Sequence, residues 1–374
     1  MLRTVTSSLL ILQLLMASAS FAGEASEKAA ARLLHDRMQT QDPEALALLK
    51  AVESRDVVVV AGSMDHIENI LTAASISHTL IAPEQVEHVK LRGDQIVMVN
   101  CPGIMPDGGV ARLERFVRAG GLLYTTDWTL KNLVEKAFPR TIAHNDASTG
   151  NEVTPVQVHN HHDNLMSDML LRKSNDPHWF LEGGSYPILV LDGERVEVLA
   201  SSQQMKKRYG AGPVVVRFPW EDGEVIHVVS HFYRQLDTSY TAEAASEAIE
   251  DVSGLTAGQI ERFKRSEDAA VNMGDVESSY AFQKMTSNLV VGKAYKNRAW
   301  REDYRWTPRE TVGEGKQALE PGTRVKVLDQ DGDLARVRTE GGQEFALPMM
   351  QLMLYSEFEK SESGRSSESE AATP

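Results

Sequence analysis

The segment between residues 94 and 128 constrains the fold more than any other part of this chain. It contains the apolar run Ile96–Val99, a helical pattern that ends at Gly120-Gly121, and a second apolar run, Leu122–Thr126. A glycine pair supplies the left-handed conformation in which many helices end. Strand, helix and strand in this order require a crossover between parallel strands, so the segment predicts an α/β protein.

Two polar residues follow these predicted strands closely. Cys101 comes after the first strand and Asp127 after the second. Open α/β sheets place their functional sites at the carboxyl ends of the strands. Cys101 and Asp127 are therefore the candidate catalytic residues, although capping of the following helix is the commoner role for an aspartate in this position.

The segments on either side of this region extend the pattern. Residues 57–60 and 79–81 are short apolar runs separated by a helical pattern, which indicates two more strands with a helix between them. After Pro139 the chain turns to β character, with spacings that suit hairpins. We therefore predict a mostly parallel sheet that hairpins extend.

Composition limits the partners and the compartment. The formal net charge is -14, which disfavours nucleic acid because phosphate binding depends on Lys and Arg. Residues 1–22 contain an early arginine, a short apolar run and small residues at the end, which is the pattern of a secretory signal peptide. The apolar run is too short for a membrane span. We expect an exported protein, periplasmic or secreted, without a membrane span.

The remaining boundaries follow changes in composition. Alternating apolar and polar positions with an Asp-Gly and a Gly-Gly turn indicate a C-terminal meander of short strands. The last residues are rich in Ser and Glu, a composition that does not support a packed core. We predict helices over 23–54, the α/β domain over 55–297, a linker over 298–314, a small all-β domain over 315–356 and a disordered acidic tail over 357–374.

Four segments carry a resemblance to a known family: Val97–Gly103, Phe116–Gly121, Tyr124–Trp128 and Val225–Phe232. Through them, residues 50–297 resemble the class I glutamine amidotransferase-like fold, near the trehalose-utilisation-like proteins. The resemblance implies a flavodoxin-like, mostly parallel sheet with helices on both faces and β-hairpin extensions. Residues 315–356 resemble a bacterial SH3-like domain, which implies a small barrel that binds a cell-wall ligand or a cell-envelope protein.

The amidotransferase resemblance does not extend to the catalytic motif. These enzymes use a cysteine nucleophile at a strand-to-helix elbow, where the next backbone N–H helps to form the oxyanion hole. Cys101 is followed by Pro102, which has no N–H. We therefore expect a non-catalytic amidotransferase-like domain, with Cys101 as a small buried side chain.

Histidines supply the candidate metal ligands. The segment from His159 to Asp163 is the densest group of metal-ligand types and includes His161 and His162. If a strand continues through it, His159 and His161 share a face, and His231 is a further possible ligand. A His-x-His pair without a fixed partner spacing is a weak signal, and local hydrogen bonding of these histidines is the alternative.

Two functions follow from these patterns. The leading hypothesis is an exported binding or assembly protein without a cofactor, whose SH3-like domain contacts a cell-envelope protein or a cell-wall ligand. The alternative is a metal-assisted hydrolase acting on a carbohydrate or an amide. In that hypothesis Asp127 acts as acid or base, and a zinc-like ion is bound by His159, His161, His162 and His231.

Overall fold

The computed structural model describes residues 25–172, 178–231, 244–266, 271–307, 319–320, 322–339 and 342–353. The predicted signal peptide, the predicted tail and part of the predicted linker lie outside these residues. Contacts divide the chain into two compact units, residues 1–293 and 294–374.

The strands of the first unit are β1 (Val57–Val60), β2 (Thr79–Ile81), β3 (Ile96–Val99), β4 (Leu122–Thr126), β5 (Ile142–His144), β6 (Glu152–Pro155), β7 (Gln157–Val158), β8 (His178–Leu181), β9 (Ile188–Val190), β10 (Glu197–Ser201), β11 (Pro213–Trp220) and β12 (Gly223–Val228). Eight of them form one sheet in the order β2-β1-β3-β4-β12-β11-β10-β7. The pairs from β2 to β12 are parallel, whereas β11, β10 and β7 add antiparallel pairs. This confirms the predicted α/β architecture with a mostly parallel central sheet.

Burial follows from the position of each strand in this sheet. Every residue of β1, β3 and β4 is buried, as expected for parallel strands that are covered on both faces. The order of the strands reverses between β1 and β3. Open α/β sheets bind ligands beyond the carboxyl ends of the strands near such a reversal. The fold therefore directs attention to the loops that follow β1, β3 and their neighbours.

The helices are α1 (residues 25–41), α2 (Pro43–Lys50), α3 (Ile67–Ala73), α4 (Asp107–Arg118), α5 (Glu135–Ala137), α6 (Gln203–Tyr209), α7 (Ala245–Ala248), α8 (Ala257–Lys264) and α9 (Met273–Asp303). Helix α4 buries Leu113, Phe116 and Val117 at helical spacing. It stops before Gly120, which has the left-handed φ of 99° that ends many helices. None of the helices in the described ranges is long and apolar enough to cross a membrane.

The second unit contains a small antiparallel sheet. Its strands are β13 (Tyr304–Trp306), β14 (Arg324–Asp331), β15 (Leu334–Thr339) and β16 (Glu344–Pro348), paired in this order. Val325, Val337 and Leu347 are among the buried residues of its core. The sheet agrees with the predicted all-β composition, and its closure into an SH3-like barrel stays a prediction.

The start of β12 depends on a close approach between backbones. Gly223 pairs with Trp220 at the turn between β11 and β12. A Cβ at Gly223 would lie 1.9 Å from the carbonyl oxygen of Val117 and 2.5 Å from that of Gly121. Glycine is therefore required for the β11–β12 hairpin to lie this near to the end of α4.

We expect Gly223→Ala to reduce the free energy of unfolding by about 1–3 kcal/mol, because the added methyl group must push backbone atoms apart. Urea denaturation followed by circular dichroism measures the change. Gly258→Ala in α8 is the matched control, since a Cβ there meets nothing within 4 Å. An equal loss of stability in the two variants would contradict the close-approach interpretation.

Candidate functional site

Four buried polar residues meet at the carboxyl edge of the parallel strands. Asp65, Cys101, Asp127 and His231 follow β1, β3, β4 and β12. Possible ligand atoms of Cys101, Asp127 and His231 lie within 4.8 Å of one another. Parallel pairing explains this convergence, because it brings the carboxyl ends of neighbouring strands to one edge. We call these four residues, together with Glu182, the strand-end cluster.

Asp127 lies at a sharp turn between β4 and the helical residues that follow. Its φ is 46°, in the left-handed region that non-glycine residues adopt at a cost. Its backbone N–H donates to Val228 O at 2.9 Å, and its Oδ1 accepts from the Tyr186 N–H at 3.0 Å. Burial raises the pKa of Asp127 to about 6, although the charge of His231 opposes this rise.

His231 contacts an acid on each side of its ring. Its Nε2 lies 3.3 Å from Asp127 Oδ2, and its Nδ1 forms a close ion pair with Oε2 of Glu182. Burial of the ring opposes its protonation, but interactions with Cys101 and Glu182 and the charge of Asp65 raise the pKa of His231 to about 10. The ring therefore carries a proton at neutral pH between two carboxylates.

Cys101 is held by its backbone and faces His231. Its N–H donates to Asp65 Oδ1 at 2.8 Å, and its carbonyl oxygen accepts from the N–H groups of Ser63 and Met64. The thiol interacts with the His231 ring. Burial raises the pKa of the Cys101 thiol, against the effect of His231. At neutral pH the thiol is protonated.

Asp65 ties the loop after β1 to the ends of β3 and β4. While its Oδ1 accepts from the Cys101 N–H, its Oδ2 accepts from the Thr126 hydroxyl at 2.6 Å. Burial raises the pKa of Asp65, and the charge of His231 opposes the rise. Asp65 thus holds Cys101 and Thr126, and with Thr126 the start of the Asp127 turn, at a fixed separation.

Aromatic rings lie beside Asp127. The rings of Trp128 and Tyr186 stack with centroids 5.9 Å apart, and those of Tyr186 and His144 stack at 4.0 Å. Trp128 Nε1 donates to Gly184 O at 2.8 Å. Trp128, Tyr186 and Glu182 are partly exposed, so the cluster approaches solvent on this side.

The structure does not bring the predicted histidine ligands together. His159, His161 and His162 are exposed, and within the described ranges only His231 of the predicted set belongs to a group of possible metal ligands. His159 Nε2 lies 2.8 Å from Ser201 Oγ, and His161 borders a mainly apolar cavity of about 330 Å³. The convergence that was predicted thus occurs at Cys101 and Asp127 instead.

Two members of the cluster do not stand out in the sequence. Asp65 comes a few residues after β1, so the strand-end rule that selects Cys101 and Asp127 would also have selected it. Glu182 directly follows β8, a strand outside the central sheet. No local pattern marks Glu182, because its position depends on the packing of distant segments.

His227 lies on β12 before the cluster and has a different environment. It is fully buried, and its Nδ1 lies 2.9 Å from Thr125 Oγ1. Burial lowers the pKa of His227 to about 3, so the ring is neutral at neutral pH. His227 is therefore a core histidine of the sheet.

No family model matches this chain, and a comparison with curated proteins finds no similar sequence. Solved structures of similar fold include a GMP synthase component from Thermoplasma acidophilum, with 11% identity and a TM-score of 0.39 over 67% of this chain and 98% of that one. A ThuA-like protein from Bacteroides uniformis shows 13% identity and a TM-score of 0.34 over 60% of this chain and 97% of that one. Both have amidotransferase-like folds.

Glycosidases also occur among the similar structures. The exo-β-1,4-mannosidase Op5Man5 from Opitutaceae bacterium strain TAV5 shows 12% identity and a TM-score of 0.33 over 50% of this chain. This chain spans only 33% of that enzyme. We transfer no activity to this chain from any of these proteins.

The buried His227 predicts a loss of stability in acid. Its folded-state pKa lies below the ordinary value of 6.5, so the unfolded chain binds the proton first as the pH falls. The stability that neutral His227 contributes is therefore complete above pH 6.5 and is lost as the pH falls towards about 3. Between pH 7 and pH 5 we expect the wild type to lose on the order of 2 kcal/mol more than His227→Gln.

Urea unfolding at the two pH values measures this difference. His159→Gln is the control, because His159 is exposed and its loss should leave the wild-type pH dependence unchanged. A His227→Gln variant with the same pH dependence as the wild type would show that His227 is not a buried neutral group.

Proposed function

We propose that the first unit is a hydrolase in which Asp127 is the nucleophile, His231 transfers protons and Glu182 orients His231. The observation that carries this proposal is the continuous contact from Asp127 through both ring nitrogens of His231 to Glu182. A nucleophile, a proton-transferring histidine and an orienting acid in this order are the parts of a catalytic triad. This geometry favours an enzyme over a non-catalytic domain.

The backbone supports Asp127 as the nucleophile. A left-handed residue at a strand-to-helix turn has the conformation of a nucleophile elbow, which presents its side chain at the edge of the sheet. Such a conformation costs on the order of 1–3 kcal/mol and persists where the surrounding structure holds it. Here Val228 and Tyr186 hold it through hydrogen bonds. Cys101 is not assigned this role, because Pro102 supplies no N–H to an oxyanion.

The proposed reaction has two steps. In the first, an Asp127 oxygen attacks the electrophilic carbon of the substrate, and protonated His231 donates its proton to the leaving group. This step forms a covalent bond to Asp127 and leaves His231 neutral. In the second, His231 takes a proton from water, which hydrolyses the intermediate and restores the Asp127 carboxylate. Glu182 stabilises the charged ring at the start and at the end.

The surroundings of Asp127 favour a substrate that contains a ring. Trp128 and Tyr186 are partly exposed and stacked, and aromatic side chains of this kind combine an apolar face with a polar tip. We propose a carbohydrate derivative or an amide as the substrate, with the apolar face of its ring against these side chains.

The test uses the full-length protein with nitrophenyl glycosides, nitrophenyl esters and nitroanilides. We expect turnover of at least one of these classes, and a fall in kcat of about 1,000-fold or more in Asp127→Asn, because an amide cannot act as the nucleophile. In His231→Gln we expect a covalent intermediate to accumulate. A nitrophenolate leaves without a proton, whereas the second step still needs a base. Mass spectrometry of the peptide that contains Asp127 detects the adduct.

Asp168→Asn is the matched control, since Asp168 is also a left-handed aspartate but its side chain is mostly exposed. We expect it to retain activity. Full activity in Asp127→Asn, or loss of activity in Cys101→Ser with no adduct on Asp127, would exclude Asp127 as the nucleophile. Absence of turnover with all three substrate classes counts against the hydrolase.

We propose in addition that the protein is exported and that its second unit binds a cell-envelope protein or a cell-wall ligand. Leu334 and Met350 are exposed by 52% and 92%. Leu334 pairs with Pro348, so these two apolar side chains lie at the same end of the small sheet. Exposed apolar side chains that lie together mark interaction surfaces.

Recovery of cell-envelope material on immobilised full-length protein tests this binding. We expect Met350→Asp to retain much less material than the wild type, because the charge opposes an apolar contact. Met64→Asp is the control, as Met64 is an exposed methionine (44%) of the first unit. Equal recovery with Met350→Asp and the wild type would show that this end of the sheet does not bind the partner.

A further inference from the structure

Cys101 is the one nucleophilic group of the cluster that the proposed triad does not use. It has no exposed surface, its thiol interacts with His231, and its backbone is held by Asp65 and by the loop after β1. We propose that Cys101, Asp127 and His231 bind one zinc-like divalent cation. The inference concerns the residues of the proposed hydrolase, but it does not depend on hydrolysis.

The distances fit a tetrahedral cation. The three possible ligand atoms lie within 4.8 Å of one another, and His231 Nε2 is 3.3 Å from Asp127 Oδ2. Zinc binds imidazole nitrogen and carboxylate oxygen at about 2.0–2.1 Å, so two such ligands at a tetrahedral angle are about 3.4 Å apart. The observed nitrogen–oxygen distance therefore needs little adjustment to accept the cation.

The donor types select the metal. A thiolate and an imidazole favour zinc over magnesium or calcium, which prefer oxygen ligands. Three protein ligands leave the fourth position of a tetrahedral zinc ion for water or another small ligand. Binding requires the thiolate and the neutral imidazole, so it releases the thiol proton and one ring proton to solvent.

The groups around the three ligands already orient them. Glu182 contacts His231 Nδ1, which leaves Nε2 for the cation in a carboxylate–histidine–metal arrangement. The Tyr186 N–H holds Asp127 Oδ1 and leaves Oδ2 towards the ring. The cluster also contains three carboxylates and a single imidazole, and a divalent cation would balance this negative charge.

The metal and the triad compete for the same atoms. A cation that takes Asp127 Oδ2 and His231 Nε2 removes the nucleophile from substrate and the proton carrier from its task. Zinc is therefore expected to inhibit the hydrolysis, with Cys101 as the ligand that makes the cluster a metal site.

The experiment titrates cobalt(II) into full-length, chelator-treated protein purified without a polyhistidine tag. We expect one cobalt per chain, with the intense visible bands of a tetrahedral site and a thiolate-to-cobalt charge-transfer band in the near ultraviolet. Added zinc should displace the cobalt. In Cys101→Ser we expect the charge-transfer band to disappear and the affinity to fall by about 100-fold or more, more than outer residues of metal sites contribute.

Two variants keep the result interpretable. His231→Gln retains Cys101 and should also lose stoichiometric binding. The double variant His159→Ala/His161→Ala removes exposed histidines and should bind as the wild type does. Circular dichroism and urea unfolding show whether each variant is folded. Absence of stoichiometric binding by the wild type, unchanged binding by folded Cys101→Ser, or loss of binding in the double histidine variant would overturn the proposal.

Failure of the metal site and failure of the hydrolase give different results. Stoichiometric binding through Cys101 without turnover would support the metal site and contradict the hydrolase. Turnover by chelator-treated protein without stoichiometric binding would contradict the metal site and support the hydrolase. Turnover that requires zinc would support the metal site and contradict the inhibition and the metal-free triad.

Discussion

Parallel pairing of β12 with β4 is the interaction on which the candidate site depends. It aligns Val228 with Thr126, so the residues that follow the two strands meet at one edge although they are distant in sequence. The Asp127 N–H continues the pairing with a hydrogen bond to Val228 O. This bond holds the left-handed turn of Asp127 beside the segment that leads to His231. The site is therefore a consequence of strand register.

Burial of charge determines the chemical character of the cluster. Asp65, Asp127 and Glu182 surround one imidazole, and a buried carboxylate is costly unless it is paired or hydrogen-bonded. Each of the three has a partner: His231 contacts Asp127 and Glu182, and Asp65 accepts two hydrogen bonds. Apolar residues of the same size would often stabilise a core as well or better. A functional role explains the retention of these groups more directly than stability does.

The triad and the metal site are two states of the same group of atoms. Without a cation, the proton on His231 offsets part of the negative charge and lies between the two acids. With a cation, the metal replaces that proton and binds the thiolate of Cys101 as well. The left-handed turn of Asp127 serves both states, because it directs the carboxylate to His231.

Local patterns in the chain were sufficient for the architecture and for two cluster residues. Apolar periodicity and the glycine turn predicted β3, α4 and β4, and the position after each strand selected Cys101 and Asp127. These properties depend on neighbouring residues alone. The selection of His231 instead of the exposed segment around His159 required the tertiary structure, because it depends on the register of β12 with β4. The approach of Glu182 and the strained turn at Asp127 likewise arise from contacts between segments that are far apart in the chain, which local periodicity does not encode.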